Sequence, residues 1–307
     1  MDQQLPILYF DHPLPDAYRD LVEGRAIAVG PNDSELTTAD AVLAGAKRPW
    51  NAEAFALGSA LKVLSRIGIG YDNVDVAAAT AAGVTVCNAP DAPSVSTAEH
   101  TLMLLLASVK NLPEQIERAG QGLPGATTGT ALELDGSTLG LVGYGRIARR
   151  VGMAATALGM LVLAYDPYVT EAEGCQLVSL EEVFAGSDVI SLHAPAVAAT
   201  HHLVNEESLA KMKQGVYIVN CARGGLVDQD ALLAALESGR VAGAGLDVTD
   251  PEPLPEGHPL LLHPRVIVTP HVASATVAGR RRLYSHAIDN ALNVLAGRPA
   301  TIVSMPA

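Results

Sequence analysis

The stretch Thr138–Ala148, TLGLVGYGRIA, followed by LVLAYDP at Leu161–Pro167, decides the fold. It reads as an apolar strand, a glycine turn, a helix, a second strand and an acidic residue at that strand's end. This arrangement grips dinucleotides. Gly143 permits a sharp turn, and Gly145, lacking a side chain, lets a pyrophosphate approach backbone N–H groups. The helix opening at Arg146 points its positive end at those phosphates. Ala148 takes the third glycine position, which the pattern permits, and Asp166 follows at about the 20-residue spacing expected of a carboxylate that takes ribose hydroxyls. That carboxylate repels an added phosphate, and Pro167 and Tyr168 come next rather than an Arg. NAD is therefore the expected cofactor, with NADP disfavoured.

Outward from this motif, short β-rich runs alternate with helical patterns along all 307 residues. Such alternation predicts an α/β protein with doubly wound parallel sheets. Strands are expected at Ile7–Phe10, Ala26–Val29, Ala41–Leu43, Lys62–Ser65 and Val84–Cys87, with a helix over Val74–Ala82. Ser96, Thr97 and Glu99 resemble helix-start chemistry before a buried helix near Glu99–Lys110. Further strands are expected at Leu139–Val142, Leu161–Ala164, Val189–Leu192, Val216–Asn220, Gly243–Asp247 and Val266–Thr269. Helices at Arg146–Leu158, Leu180–Ala185, Glu206–Met212 and Asp230–Ser238 connect them. A last helix, Ala278–Leu295, would return the chain to its first unit. The expected domains are thus a discontinuous one, 1–98 with 286–307, and a nucleotide-binding one, 99–285.

Composition narrows the partners. Hydrophobic residues at 49% and charged ones at 17% suit a well-packed globular enzyme. The net charge of −13 weighs against nucleic acid or an anionic membrane. Cys87, Cys175 and Cys221 form no CxxC pair, so neither a disulfide framework nor a metal site is expected, and a reducing cytoplasm is the simplest setting. The N-terminus MDQQLPILYF lacks the pattern of a signal peptide. The apolar run Thr101–Val109 is too short to span a bilayer.

Three segments place a polar side chain just beyond an apolar strand, where open α/β sheets bind ligands. In VYIVNCARGGLVD, Arg223 could hold a carboxylate and its neighbouring carbonyl through two parallel hydrogen bonds. In GLDVTDPEPLP, Pro251 and Pro253 fix the backbone around Glu252, and Asp247 precedes them. In VIVTPHVASAT, His271 follows Pro270. Each alone is ordinary: a surface Arg, an acidic loop, a structural His. Together beside a nicotinamide they supply what hydride transfer to a 2-oxo acid needs. Arg223 anchors the substrate, His271 is the general acid, and Glu252 orients the imidazole and favours its charged form. A fourth segment, SRIGIGYDNVD, carries the run Gly68-Ile69-Gly70, whose N–H groups could nest a carboxylate or simply turn the chain.

These motifs, with STAEHTLMLLLA, YDP and LHAP, closely resemble the D-isomer-specific 2-hydroxyacid dehydrogenases, in that family's order from about residue 60 to 290. The first 55 residues match only in general α/β character. The resemblance implies two Rossmann/flavodoxin-like domains with an interdomain cleft, a homodimer formed through the nucleotide domain, and Arg223, Glu252 and His271 at the catalytic positions. It puts cofactor contacts on Thr97, Arg146, Ile147, Asp166, His193, Ala194, Pro195, Cys221, Ala222 and Ala273, and a carboxamide acceptor at Asp247. It places the substrate carboxylate on the amides of Ile69 and Gly70. Family members often carry Gly at the position of Ala273. The chain stops at residue 307, so the C-terminal regulatory domain of long phosphoglycerate dehydrogenases, and feedback by serine, are not expected. Glyoxylate or hydroxypyruvate is the first substrate expectation. Phosphoglycerate, D-lactate, a sugar acid, and formate or phosphite oxidation remain open. Trp50 and Tyr71 are candidate pocket-lining residues of the first domain. A nucleotide-sensing corepressor is the alternative of a different class, because such proteins on this scaffold keep the triad.

Overall fold

A computed structural model describes residues 4–125 and 131–304. The chain divides into two compact units, Met1–Ser94 with Ala275–Ala307, and Val95–Ser274. The first opens with β1 (Ile7–Phe10), β2 (Ile27–Val29), α1 (Asp33–Leu36), β3 (Ala41–Ala44), α2 (Ala52–Ala56), β4 (Val63–Arg66), α3 (Val76–Ala81) and β5 (Thr85–Cys87). Every residue of β3 and β4 is buried, as befits interior strands covered on both faces. Side chains alternate along β1. Tyr9 joins Val42, Leu64 and Trp50 in one core, while Leu8 and Phe10 join Leu43 and Val63 in another. Asn32, Asn51 and Asp75 cap α1, α2 and α3 by accepting from first-turn N–H groups.

The second unit contains most of α4 (Ser94–Val109), then α5 (Leu112–Gly120), β6 (Thr138–Val142), α6 (Arg146–Ala157), β7 (Leu161–Tyr165), β8 (Gln176–Leu177), α7 (Leu180–Gly186) and β9 (Val189–Leu192). It continues with α8 (Glu206–Lys211), β10 (Val216–Asn220), α9 (Gln229–Glu237), β11 (Val241–Leu246), α10 (Pro259–Leu262) and β12 (Val266–Val268). The strands pair in parallel in the order β12-β11-β10-β9-β6-β7-β8. From β6 the chain builds outward on one side through β7 and β8, then on the other through β9 to β12. The β6–β9 boundary is the point where ligands bind in doubly wound sheets.

The chain then returns to the first unit in α11 (Val277–Leu295) and β13 (Ile302–Ser304). Tyr284, Ala287, Ile288, Ala291 and Leu292 of α11 cover Leu8, Phe10, Leu43 and Val63. That packing moves the boundaries from the expected 98 and 286 to 94 and 275, because the whole helix belongs to the face it buries. Residues 1–3 and 305–307 of the expected first domain lie outside the described residues. The first sheet runs β13-β5-β4-β3-β1-β2, and β13 lies antiparallel to β5, so this sheet is not wholly parallel as expected. A second departure is the start of α4, at Ser94 directly after Pro93, where a missing N–H costs the helix nothing. Ser96 and Thr97 are therefore helical residues rather than its cap. Among the described residues, no helix is long and apolar enough to cross a membrane.

Candidate active site

The nucleotide motif sits at the β6–β9 boundary. Gly143 has φ +91°, and a Cβ there would lie 2.8 Å from the carbonyl carbon and oxygen of His193. Its N–H bonds to Tyr165 O at 2.7 Å, while His193 N donates to Val142 O at 2.7 Å. The turn is thus wedged between the ends of β7 and β9, and only glycine fits. Gly145 begins α6 with no side-chain cap, and a Cβ on it would meet nothing within 4 Å. An uncapped helix start facing open space fits a pyrophosphate, which the Arg146 and Ile147 end of α6 would hold. Ala148 is fully buried beneath it.

Asp166 accepts from Tyr144 N through Oδ2 and from Tyr168 N through Oδ1, both at 2.9 Å. Each oxygen keeps a lone pair, so the carboxylate braces the glycine turn and can still receive ribose hydroxyls. His193 Nε2 lies 3.0 Å from the buried Ser191 Oγ. Burial pushes this imidazole down to about 4, so it is neutral near pH 7. Ala194 and Pro195 follow it with increasing exposure. After β10, burial pushes the Cys221 thiol up to about 12, which makes it an inert wall beside Ala222. Thr97 is buried on α4, its carbonyl accepting from Thr101 Oγ1.

The structure brings the three strand-end loops of the second unit together. Arg223 starts a tight turn over Gly224–Leu226. A Cβ on Gly224 would lie 2.0 Å from Thr249 O, so the Arg223 loop rests directly on the loop that leads to Glu252. Asn220, fully buried, clasps the Arg223 loop from below. Its Nδ2 donates to Arg223 O at 2.8 Å and its Oδ1 accepts from Ala222 N at 3.0 Å. Arg223 Nη1 donates to Ala222 O at 2.7 Å. His271 Nδ1 lies 2.6 Å from Glu252 Oε1, which leaves Nε2 as the ring nitrogen for chemistry. The backbone of His271 is left-handed, φ +53°, a conformation that costs an L-residue on the order of 1 kcal/mol.

Asp247 explains how that conformation is held. Its side chain is buried, and it accepts from Thr269 Oγ1 at 2.5 Å, Val272 N at 2.9 Å and Ala273 N at 2.8 Å. Its carbonyl accepts from His271 N at 2.8 Å. Asp247, expected as a carboxamide acceptor, is thus largely engaged in gripping the His271 loop. Sequence reasoning missed this task, along with Asn220.

Ile69 and Gly70 belong to the first unit, in the loop after β4. Asn88 Nδ2 donates to Ile69 O at 2.8 Å and Ala89 N to Gly68 O at 2.9 Å. Beneath this loop lies Arg66, a buried cation that the sequence reading overlooked; it donates to Ala44 O and Ile67 O. Trp50 does not line a pocket. It is fully buried, donates to Asp11 Oδ2 at 3.2 Å, and carries Arg48 over its ring. Tyr71 is 41% exposed.

Comparison with known proteins gives the family. Residues 102–273, more than half of the chain, match the family model for the D-isomer specific 2-hydroxyacid dehydrogenase, NAD binding domain. The D-3-phosphoglycerate dehydrogenase of Bacillus subtilis is 36% identical over 311 residues, spanning 98% of this chain and 59% of that protein. The chain therefore covers little more than half the length of such curated relatives. The TT0316 protein of Thermus thermophilus superposes with a TM-score of 0.88 at 38% identity, covering 97% of this chain and all of that one. A glyoxylate reductase from Paecilomyes thermophila superposes with a TM-score of 0.87 at 31% identity, covering 99% of each chain. The chain belongs to the D-isomer-specific 2-hydroxyacid dehydrogenases, and its second unit carries that family's NAD-binding domain.

Proposed function

We propose that this protein interconverts a small 2-oxo acid and its D-2-hydroxy acid, using NAD rather than NADP. The observation that carries the reading is the His271–Glu252 pair, 2.6 Å apart, with the loop that leads to Glu252 packed against the Arg223 loop. When bound, NADH supplies hydride to the carbonyl carbon. Arg223 holds the substrate carboxylate and polarises the carbonyl. His271 Nε2 gives a proton to the carbonyl oxygen, and Glu252 at Nδ1 fixes the orientation of the ring. In the reverse direction His271 takes the hydroxyl proton. In the first unit the amides of Ile69 and Gly70 form a nest for a carboxylate, and Met1–Ser94 with Ala275–Ala307 is the substrate domain. Thr97, His193, Ala194, Pro195, Cys221, Ala222 and Ala273 line the cofactor.

Glyoxylate or hydroxypyruvate is the preferred substrate, supported by the likeness to a glyoxylate reductase. 3-Phosphoglycerate is the second reading, favoured by relatives of that name. The working form is a cytoplasmic homodimer, a reading supported by Met103, Leu106, Leu112 and Ile116, large apolar side chains exposed on α4 and α5. The test is NADH and NADPH oxidation with a panel of 2-oxo acids, run on wild type and His271→Ala. Turnover with NADH that falls by about 10²–10⁴ in the variant supports the reading. Near-normal turnover of the variant would remove His271 from the acid role.

A further inference from the structure

We infer that His100 is a positioning residue that, through Thr269 and Asp247, holds the backbone of His271 in its left-handed conformation. The inference rests on the reading of His271 as the acid.

The pairing of strands brings the parts together. In the β11–β12 ladder Leu246 pairs with Val268, so Asp247 and Thr269 are the first residues beyond two adjacent strand ends. The helix α4 is seated on β11. A Cβ on Gly245 would lie 2.9 Å from Leu104 Cβ and 3.1 Å from Ser108 Oγ. His100 precedes Leu104 by one helical turn, a rise of about 6 Å. Asp247 lies two residues beyond Gly245, a run of about 6.6 Å along the strand direction. The two displacements match, so His100 arrives level with Asp247 and Thr269.

The contacts there are directional. Thr269 Oγ1 donates its hydroxyl proton to Asp247 Oδ1 at 2.5 Å. With that proton used, the 2.9 Å contact between Thr269 Oγ1 and His100 Nε2 requires the histidine to be the donor. The same Nε2 lies 3.3 Å from Asp247 Oδ1. Asp247 in turn grips the N–H groups of Val272 and Ala273. A single N–H on α4 therefore orients the hydroxyl and the carboxylate that clamp the residues directly after His271. His100 is nearly buried, its side chain 14% exposed. None of these groups belongs to the three residues assigned to the chemistry.

Hydrogen exchange and kinetics of His100→Ala, His100→Gln and Thr269→Val test the clamp. Gln reaches the position of Nε2 with an N–H, and Val keeps the shape of Thr without its hydroxyl. In His100→Ala and Thr269→Val the amides of Val272 and Ala273 should exchange at least about tenfold faster than in wild type. Turnover should fall by about 10- to 100-fold, with the KM for the oxo acid and the Kd for NADH within about twofold. His100→Gln should recover most of both losses. Unchanged exchange at Val272 and Ala273, or a His100→Gln variant as impaired as His100→Ala, would overturn the inference. So would a fall in turnover matched by an equal loss of NADH binding, which marks general damage to the unit. Faster exchange with unaltered turnover would uphold the clamp and count against His271 as the acid. If His100→Ala fails to fold, Thr269→Val carries the same comparison.

Discussion

Gly224 lies against Thr249 so closely that a methyl group on its Cα would sit 2.0 Å from the Thr249 carbonyl oxygen. This contact seats the loop of Arg223 on the loop of Glu252, two residues that share no strand. Side-chain freedom on neither loop can relieve the clash, because the obstructing atoms belong to the backbone. Gly224→Ala should therefore cost about 1–3 kcal/mol of stability. It should also lower kcat/KM for the oxo acid by about a hundredfold, through misplacement of Arg223. Thermal melts and steady-state kinetics on the same preparation check both outcomes.

Glu252→Gln separates charge from shape. The amide keeps an oxygen facing His271 Nδ1, now 2.6 Å from Glu252 Oε1, but removes the negative charge. The ring loses its charged partner and part of its fixed orientation, so kcat should fall by about 10- to 100-fold in both directions. Rates measured in both directions at one pH provide the comparison.

Gly145→Val exploits the open space before α6. A Cβ there meets nothing within 4 Å in the protein alone, so the unfolding midpoint should barely move. The added methyl groups would occupy the approach of the pyrophosphate. NADH should bind at least about tenfold more weakly, equivalent to about 1.4 kcal/mol. Fluorescence titration with NADH reads this directly.

His193 should impose a pH dependence on stability. Burial holds its folded-state value at about 4, against about 6.5 in an unfolded chain. Between these values the unfolded chain binds a proton that the folded one refuses. Stability should therefore be complete above about pH 6.5 and decline as pH falls toward 4, at about 1.4 kcal/mol per unit of separation. His193→Gln, which keeps a hydrogen-bonding side chain for Ser191 Oγ, should flatten that decline. Melting midpoints at about pH 7 and about pH 4.5 for both proteins form the test.

Much of this architecture was legible in the linear order of residues. The spacing of Gly143, Gly145 and Asp166 foretold the nucleotide turn, because strand, turn and helix there are local. Local patterning also located Val189–Leu192 and Val216–Asn220 to the residue. What escaped depended on pairing at a distance. The role of Asp247 follows from the lateral neighbours of β11, which place Thr269, 22 positions away, against its carboxylate. His100 lies in an apolar helical run, where periodicity marks core and says nothing of a polar contact. Trp50 is aromatic and near a strand end, yet it fills the first unit's core. The antiparallel β13 has three residues, too few to show a pattern.

The first unit's division into two stretches also bears on how a ribosome delivers this protein. Leu8, Phe10, Leu43 and Val63 must wait for Ile288 and Ala291 to cover them, and those emerge only after Val95–Ser274 has been synthesised. The later, uninterrupted stretch can complete its sheet while the earlier one is still open on one side. Maturation of the nascent chain thus runs from the middle outward, and the N-terminal strands depend longest on protection from aggregation.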